Sequence, residues 1–139
     1  MLARPVFEID GRNFSTLEAF YDEISRVLMP GIPTDGWGRN LDAFNDILRG
    51  GFGTPDEGFV LRWINSDASR QQLGFGETIR QLELRLQGCH PENRASVASE
   101  LQMARSGQGE TVFDWLVEII KDHGPGGSES EDAVDLILA

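Results

Sequence analysis

A chain of 139 residues, 40% hydrophobic and 25% charged, has the size and composition of one ordinary globular domain, so a single domain over 1–139 is expected. Its 12 Lys and Arg stand against 23 Asp and Glu, and a net charge of −11 repels nucleic acid and anionic membranes while favouring a basic partner. The single Cys89 closes no internal disulfide, the N-terminal Met1–Pro5 lacks an apolar signal segment, and the most apolar stretch, Val112–Ile120, is too short to span a bilayer. A cytoplasmic location is expected.

In chain order, Pro5–Asp10 alternates and ends at Asp10-Gly11, a strand followed by a turn. Ser15-Thr16-Leu17-Glu18 matches a capping box and opens a helix with a stripe of Leu17, Phe20, Tyr21, Ile24, Val27 and Leu28. Pro30, Gly31, Pro33 and Gly36 stop it. A short second helix follows, N-capped by Asn40, burying Leu41, Phe44, Ile47 and Leu48 and ending at Gly50-Gly51. After a loop over 51–58, Phe59–Ile64 is nearly all apolar and predicts a strand covered on both faces. Short helical patterns occupy 67–74 and 77–87, the latter with Ile79, Leu82 and Leu86. A turn at Gly88–Pro91 leads into a helix over about 92–105, with a thin face of Ala98, Leu101 and Ala104. Thr111-Val112-Phe113-Asp114 is a second capping box, opening an apolar helix to about Asp122. A polar loop over 124–131 precedes a closing strand, Val134–Leu138. Three strands separated by helices imply parallel pairing through crossovers, hence an α/β fold in which a three-stranded sheet packs against helices.

The charge is uneven. Residues 1–61 hold five Arg and ten acids, residues 62–105 six Arg and five acids, and residues 106–139 one Lys and eight acids. The acid belongs to the two ends of the chain.

The short helix is the most informative segment. With its apolar side turned inward, Asp42, Asn45, Asp46 and Arg49 face outward, and Asp42 and Asp46 at i and i+4 share one face. The helix dipole favours Asp42 in the first turn and opposes Asp46 in the last, and like charges at this spacing add a further penalty of roughly 0.2–0.5 kcal/mol. Two readings fit these residues alone: a solvated polar face, or an anion kept for function against local rules.

Gly38-Arg39-Asn40-Leu41-Asp42-Ala43-Phe44-Asn45-Asp46-Ile47-Leu48-Arg49-Gly50-Gly51 resembles the signature of the barstar family, the intracellular inhibitors of barnase-type ribonucleases. The order of the flanking elements is similar too, over about 5–73 and 110–139. The resemblance implies a two-layer barstar-like fold and an acidic helix that plugs a cationic active site. It implies Asp46 as the main anion, a substitute for a substrate phosphate, and Asp42 as the second carboxylate. Asn40 would cap the helix, Gly38 would let the backbone approach the enzyme, and Trp37 would be an aromatic contact. Gly50 and, more loosely, Phe52 match positions just beyond, and Glu118 on the late helix would be a further acidic contact, with a one-residue slip allowed.

Three departures accompany the resemblance. Gly36 stands where the family has a second aromatic, the 31–39 loop is differently built, and about 75–109 forms an inserted, near-neutral helical hairpin. Two partners fit an inhibitor: a basic, extracellular-type ribonuclease, or a related toxin that is not a ribonuclease and is met by an immunity protein. The competing class is an enzyme using Asp42, Asp46 and Glu118 to hold Mg²⁺ or as an acid/base pair. Cys89-His90 and His123 form no recognisable metal-ligand spacing, and no cofactor is expected.

Overall fold

The computed structural model describes residues 4–33, 36–50, 54–55 and 57–139. Strands β1 (Val6–Asp10), β2 (Phe59–Ile64) and β3 (Val134–Leu138) alternate with helices α1 (Leu17–Leu28), α2 (Leu41–Ile47), α3 (Ser66–Gln72), α4 (Phe75–Gly88), α5 (Arg94–Arg105) and α6 (Val112–Asp122). The three strands form one parallel sheet in the order β1-β2-β3, with Val6 opposite Val60 and Phe59 opposite Val134. This is the expected α/β architecture, with parallel neighbours joined by helical crossovers.

The pleat sorts the strand residues. Ile9, Phe59, Leu61, Trp63 and Val134 point into the main core, where they meet Phe14, Phe20, Phe44, Phe113, Leu116 and Ile120. Trp63 sits among Phe14, Phe20 and Phe113, and its indole N–H donates to Ser69 Oγ at 2.9 Å, which satisfies the one polar atom of the ring. The expectation that β2 is covered on both faces is corrected. Val60 and Ile64 are half-buried, and Arg62 is exposed and pairs with Glu8 at 3.3 Å. An apolar run by itself does not report whether a second layer is present.

Helices α4 and α5 form the expected hairpin, with a small core of its own made by Leu82, Val97, Leu101 and Ala104. Val97, not Ala98, lies inside, because Val97, Leu101 and Ala104 at i, i+4 and i+7 bury more apolar surface than a face begun at Ala98. Trp115 of α6 packs against both cores.

The first turn of α4 also closes the N-termini of two other helices. Glu77 Oε2 accepts from the Leu17 amide at 2.8 Å, and Thr78 Oγ1 accepts from the Val112 amide at 2.9 Å. These are N-terminal donors with no intrahelical acceptor. The capping box expected at Ser15–Glu18 is corrected accordingly: Thr16 is the N-cap, accepting from Ala19 N at 3.1 Å, and Glu18 turns away to Arg80 and Gln81. Glu77, sixty residues downstream, instead takes the free amide of Leu17, the first residue of the helix. The box at Thr111–Asp114 forms as expected. Among the described residues, no helix is long and apolar enough to cross a membrane.

Candidate functional site

Helix α2 is only seven residues long, below the length at which a helix holds itself in water, so its position is set by what it packs on. Phe44, Ile47 and the adjoining Leu48 are each about 1% exposed or less and fix the inner side. At the start, Asn40 Oδ1 accepts from Ala43 N at 2.8 Å. The entry turn needs positive φ at Gly38 (89°) and Arg39 (47°), and a Cβ on Gly38 would lie 3.3 Å from Ala43 Cβ, so glycine suits this turn on its own account. Arg39 is held back by Asp22 and by the Glu18 carbonyl at 3.0 Å. Gly50, at φ 90°, turns the chain away after the helix.

Asp42 and Asp46 are both exposed on the outer face of α2. Among the described residues, Asp46 makes one side-chain ion pair, Oδ1 to Arg49 Nη1 at 3.1 Å, and its side chain stays 56% exposed. Arg49 is shared: its Nη2 reaches Glu129 at 2.6 Å, and that hydrogen bond, with the charges of Glu129, Asp46 and Asp132, raises its pKa. A cleft of about 530 Å³ beside Asp42 is walled by Arg39 and Asn40 and, from α4, by Gln81 and Arg85. The hairpin therefore borders the acidic helix.

Trp37, which the resemblance implies as an aromatic contact, lies inside the free protein. It is 5% exposed, its indole N–H donates to Ser25 Oγ at 2.7 Å, and its ring meets Tyr21 edge to face. A large ring with a buried acceptor within reach is more stable inside, and it anchors the loop that leads into α2. Phe52 lies outside the described residues.

Glu118 is exposed on α6 and lies close enough to Glu110 to influence its charge. The nearness of Glu118, with the charges of Asp114 and Glu100, holds Glu110 above the usual carboxylate range. Glu118 thus stands beside Glu110, while Asp42 and Asp46 share the outer face of α2.

The residues that do join Asp46 come from the loop after α6. His123 is fully buried, its Nδ1 lies 2.6 Å from Asp132 Oδ2, and its Nε2 lies 2.7 Å from Asn45 Oδ1. Asn45, expected to face outward, is half-buried by this contact. In the sequence His123 reads as a lone histidine, and the one available signal is its place at the end of the most apolar helix, followed by an acidic loop. Among the described residues, His123, Glu129 and Asp132 are the one set of three ligand-type groups within 4.8 Å of one another. Asp42, Asp46 and Glu118 do not form such a set, which removes the geometric basis for a shared Mg²⁺ site. In the His123 set the two ring nitrogens already face different partners and a guanidinium already holds Glu129, an arrangement of hydrogen bonds and ion pairs.

No curated protein matches the chain. The family described as Barstar (barnase inhibitor) matches residues 4–102, from the approach to β1 to near the end of α5, a stretch that contains the whole of α2 and its flanking turns. With the match covering well over half of the sequence, and with a three-stranded parallel sheet bearing an exposed acidic helix, the chain belongs to the barstar family, a family of inhibitors rather than of enzymes.

Proposed function

We propose that this protein binds a small basic ribonuclease and blocks its active site with the outer face of α2. The observation that carries the reading is the pair Asp42 and Asp46, exposed on one face of a short helix in a member of this family. A ribonuclease active site is a cationic cleft shaped for phosphates, and two carboxylates on a pre-formed helix offer the complementary charge. Asp46 acts as the phosphate substitute, and Asp42 contacts a basic group at the rim. Asn40 and Gly38 set the entry of the helix, Gly50 its exit, and Phe52 and Glu118 supply flanking contacts. Trp37 serves from within by anchoring the loop. No bond is made or broken, so neither a nucleophile nor a general base is needed. The net charge of −11 speeds the encounter with a basic enzyme and makes it sensitive to salt.

The test is inhibition of RNA cleavage by barnase, titrated with this chain at low and at physiological salt. Expected is one-to-one inhibition, with an association rate that falls as salt rises. Undiminished cleavage at excess chain and low salt would overturn barnase as a target. A second reading, immunity against a toxin that is not a ribonuclease, draws on the altered entry loop. With Gly36 in place of an aromatic and Trp37 turned inward, that loop offers a partner less aromatic surface. Capture of a toxin without nuclease activity, competed by barnase, would favour it.

A further inference from the structure

Nothing in the inhibitor reading uses His123, yet among the described residues it is the one fully buried titratable side chain that reaches the acidic helix. A buried imidazole is expensive unless both nitrogens are satisfied, and here both are, by groups from two different parts of the chain. Asp132, on the short 3-10 turn Ser130–Asp132, holds Nδ1, and Asn45, on α2 and seventy-eight residues away, meets Nε2. Asn45 is the neighbour of Asp46. Four residues beyond Asn45, Arg49 is tied to Glu129 of the same loop at 2.6 Å. The segment after α6 thus grips α2 by two polar links that flank Asp46. It is itself held by the Glu129 amide on the Asp122 carbonyl and the Val134 amide on the His123 carbonyl, each at 2.8 Å.

We infer that His123 is a positioning residue for partner binding: acting through Asn45, with Asp132 fixing its ring, it sets where α2 presents Asp46. Hydrophobic contacts at Phe44 and Ile47 fix the inner side of α2, but a seven-residue helix frays unless its outer side is tied as well. A charge held in its bound position before the encounter forfeits less freedom on binding, and the gain shows as slower dissociation. The Glu129 link has a second effect. By drawing Arg49 partly away, it keeps that guanidinium from covering Asp46. Among the described residues, only Oδ1 of Asp46 is engaged. The inference rests on the inhibitor reading, and its test separates the two.

The variants are Asn45→Ala, His123→Gln and the double variant. Backbone amide exchange is followed in the free chain, and dissociation is followed from barnase. In Asn45→Ala the amides of Phe44–Leu48 should exchange about tenfold faster, as the loss of one such hydrogen bond implies, while those of β2 stay unchanged. Dissociation from barnase should quicken in each single variant, and in the double no further than in Asn45→Ala. The same cycle with Asp46→Ala should show that Asp46 contributes less once Asn45 is removed, which a merely structural histidine would not produce. His123→Gln, whose amide can still reach Asn45, should be the milder of the two. Unchanged α2 exchange in Asn45→Ala, equal acceleration in β2, or additive effects on dissociation would each overturn the inference. A melting temperature raised by micromolar Zn²⁺ in the parent but not in His123→Gln would overturn it as well, by making the cluster a metal site. If barnase does not bind the parent, the inhibitor reading falls for that enzyme, and the exchange data alone decide whether His123 braces α2. If His123→Gln fails to fold, Asn45→Ala still decides.

Discussion

Helices α2 and α4 each carry carboxylates, and the protein treats them in opposite ways. Glu77 of α4 is 7% exposed and saturated with donors: the Leu17 amide, Arg80 at 2.6 Å and 2.8 Å, and Gln81 at 3.1 Å. Asp42 and Asp46 of α2 are left in water, with one arginine contact between them among the described residues. A carboxylate whose lone pairs are filled from within is holding the fold together. One left open on a helix that local rules would rather have without it is available to something outside.

The largest effect that should separate the two kinds is on binding. Asp46→Ala should weaken the complex with a barnase-type ribonuclease by about 2–5 kcal/mol, the general range for truncating one partner of a buried charge pair, for which the barnase–barstar complex is itself a reference case. Most of the loss should appear as faster dissociation, since the enzyme's cations would be buried unpaired. Thermal stability should move by no more than about 0.5 kcal/mol, as for an exposed residue with one surface ion pair. Wild-type binding kinetics in Asp46→Ala would erase the distinction between α2 and α4.

On the α4 side the pattern should invert. Glu77→Ala and Thr78→Val each strand a buried amide at the N-terminus of another helix, Leu17 or Val112. Each should cost about 1–3 kcal/mol in denaturant unfolding. Association and dissociation rates of the folded molecules should be unchanged. A stable Thr78→Val would show the hairpin to be an appendage rather than part of the frame.

A smaller effect comes from acid. Burial raises the pKa of Glu77, but hydrogen bonds from Arg80, the Leu17 amide and Gln81 outweigh it and leave the group below its ordinary 4.5. Its contribution to stability is therefore complete above that value and lost as pH falls through the lower folded-state value. The melting temperature should drop below about pH 4.5, and the drop should be shallower in Glu77→Gln. A profile identical to that of the wild type would remove Glu77 from the acid limb.

The smallest effect concerns the second acidic cluster. Glu110 is shifted upward by neighbouring Glu118, the mark of two like charges held close together. Glu118→Gln should raise the melting temperature slightly at neutral pH, by the equivalent of at most about 0.5 kcal/mol, with the gain fading in acid and in high salt. A lower melting temperature would mean that Glu118 has an attractive partner in the fold.

Much of this was legible in the chain because it depends on neighbours in sequence. The bounds of β2 and β3 follow from apolar runs ending in turn residues, the Thr111 and Asn40 caps from residues three apart, and the shared face of Asp42 and Asp46 from the turn of a helix. The motif around α2 was readable for the same reason. What only the tertiary structure decided involves groups farther apart in the chain: Glu77 standing in at the start of α1, Trp37 finding Ser25, and His123 meeting Asn45 across seventy-eight residues. Periodicity tells a residue which side of its own element it occupies. Which foreign donor or acceptor waits there is set by how the elements pack, and buried polar groups take whatever partner that packing supplies.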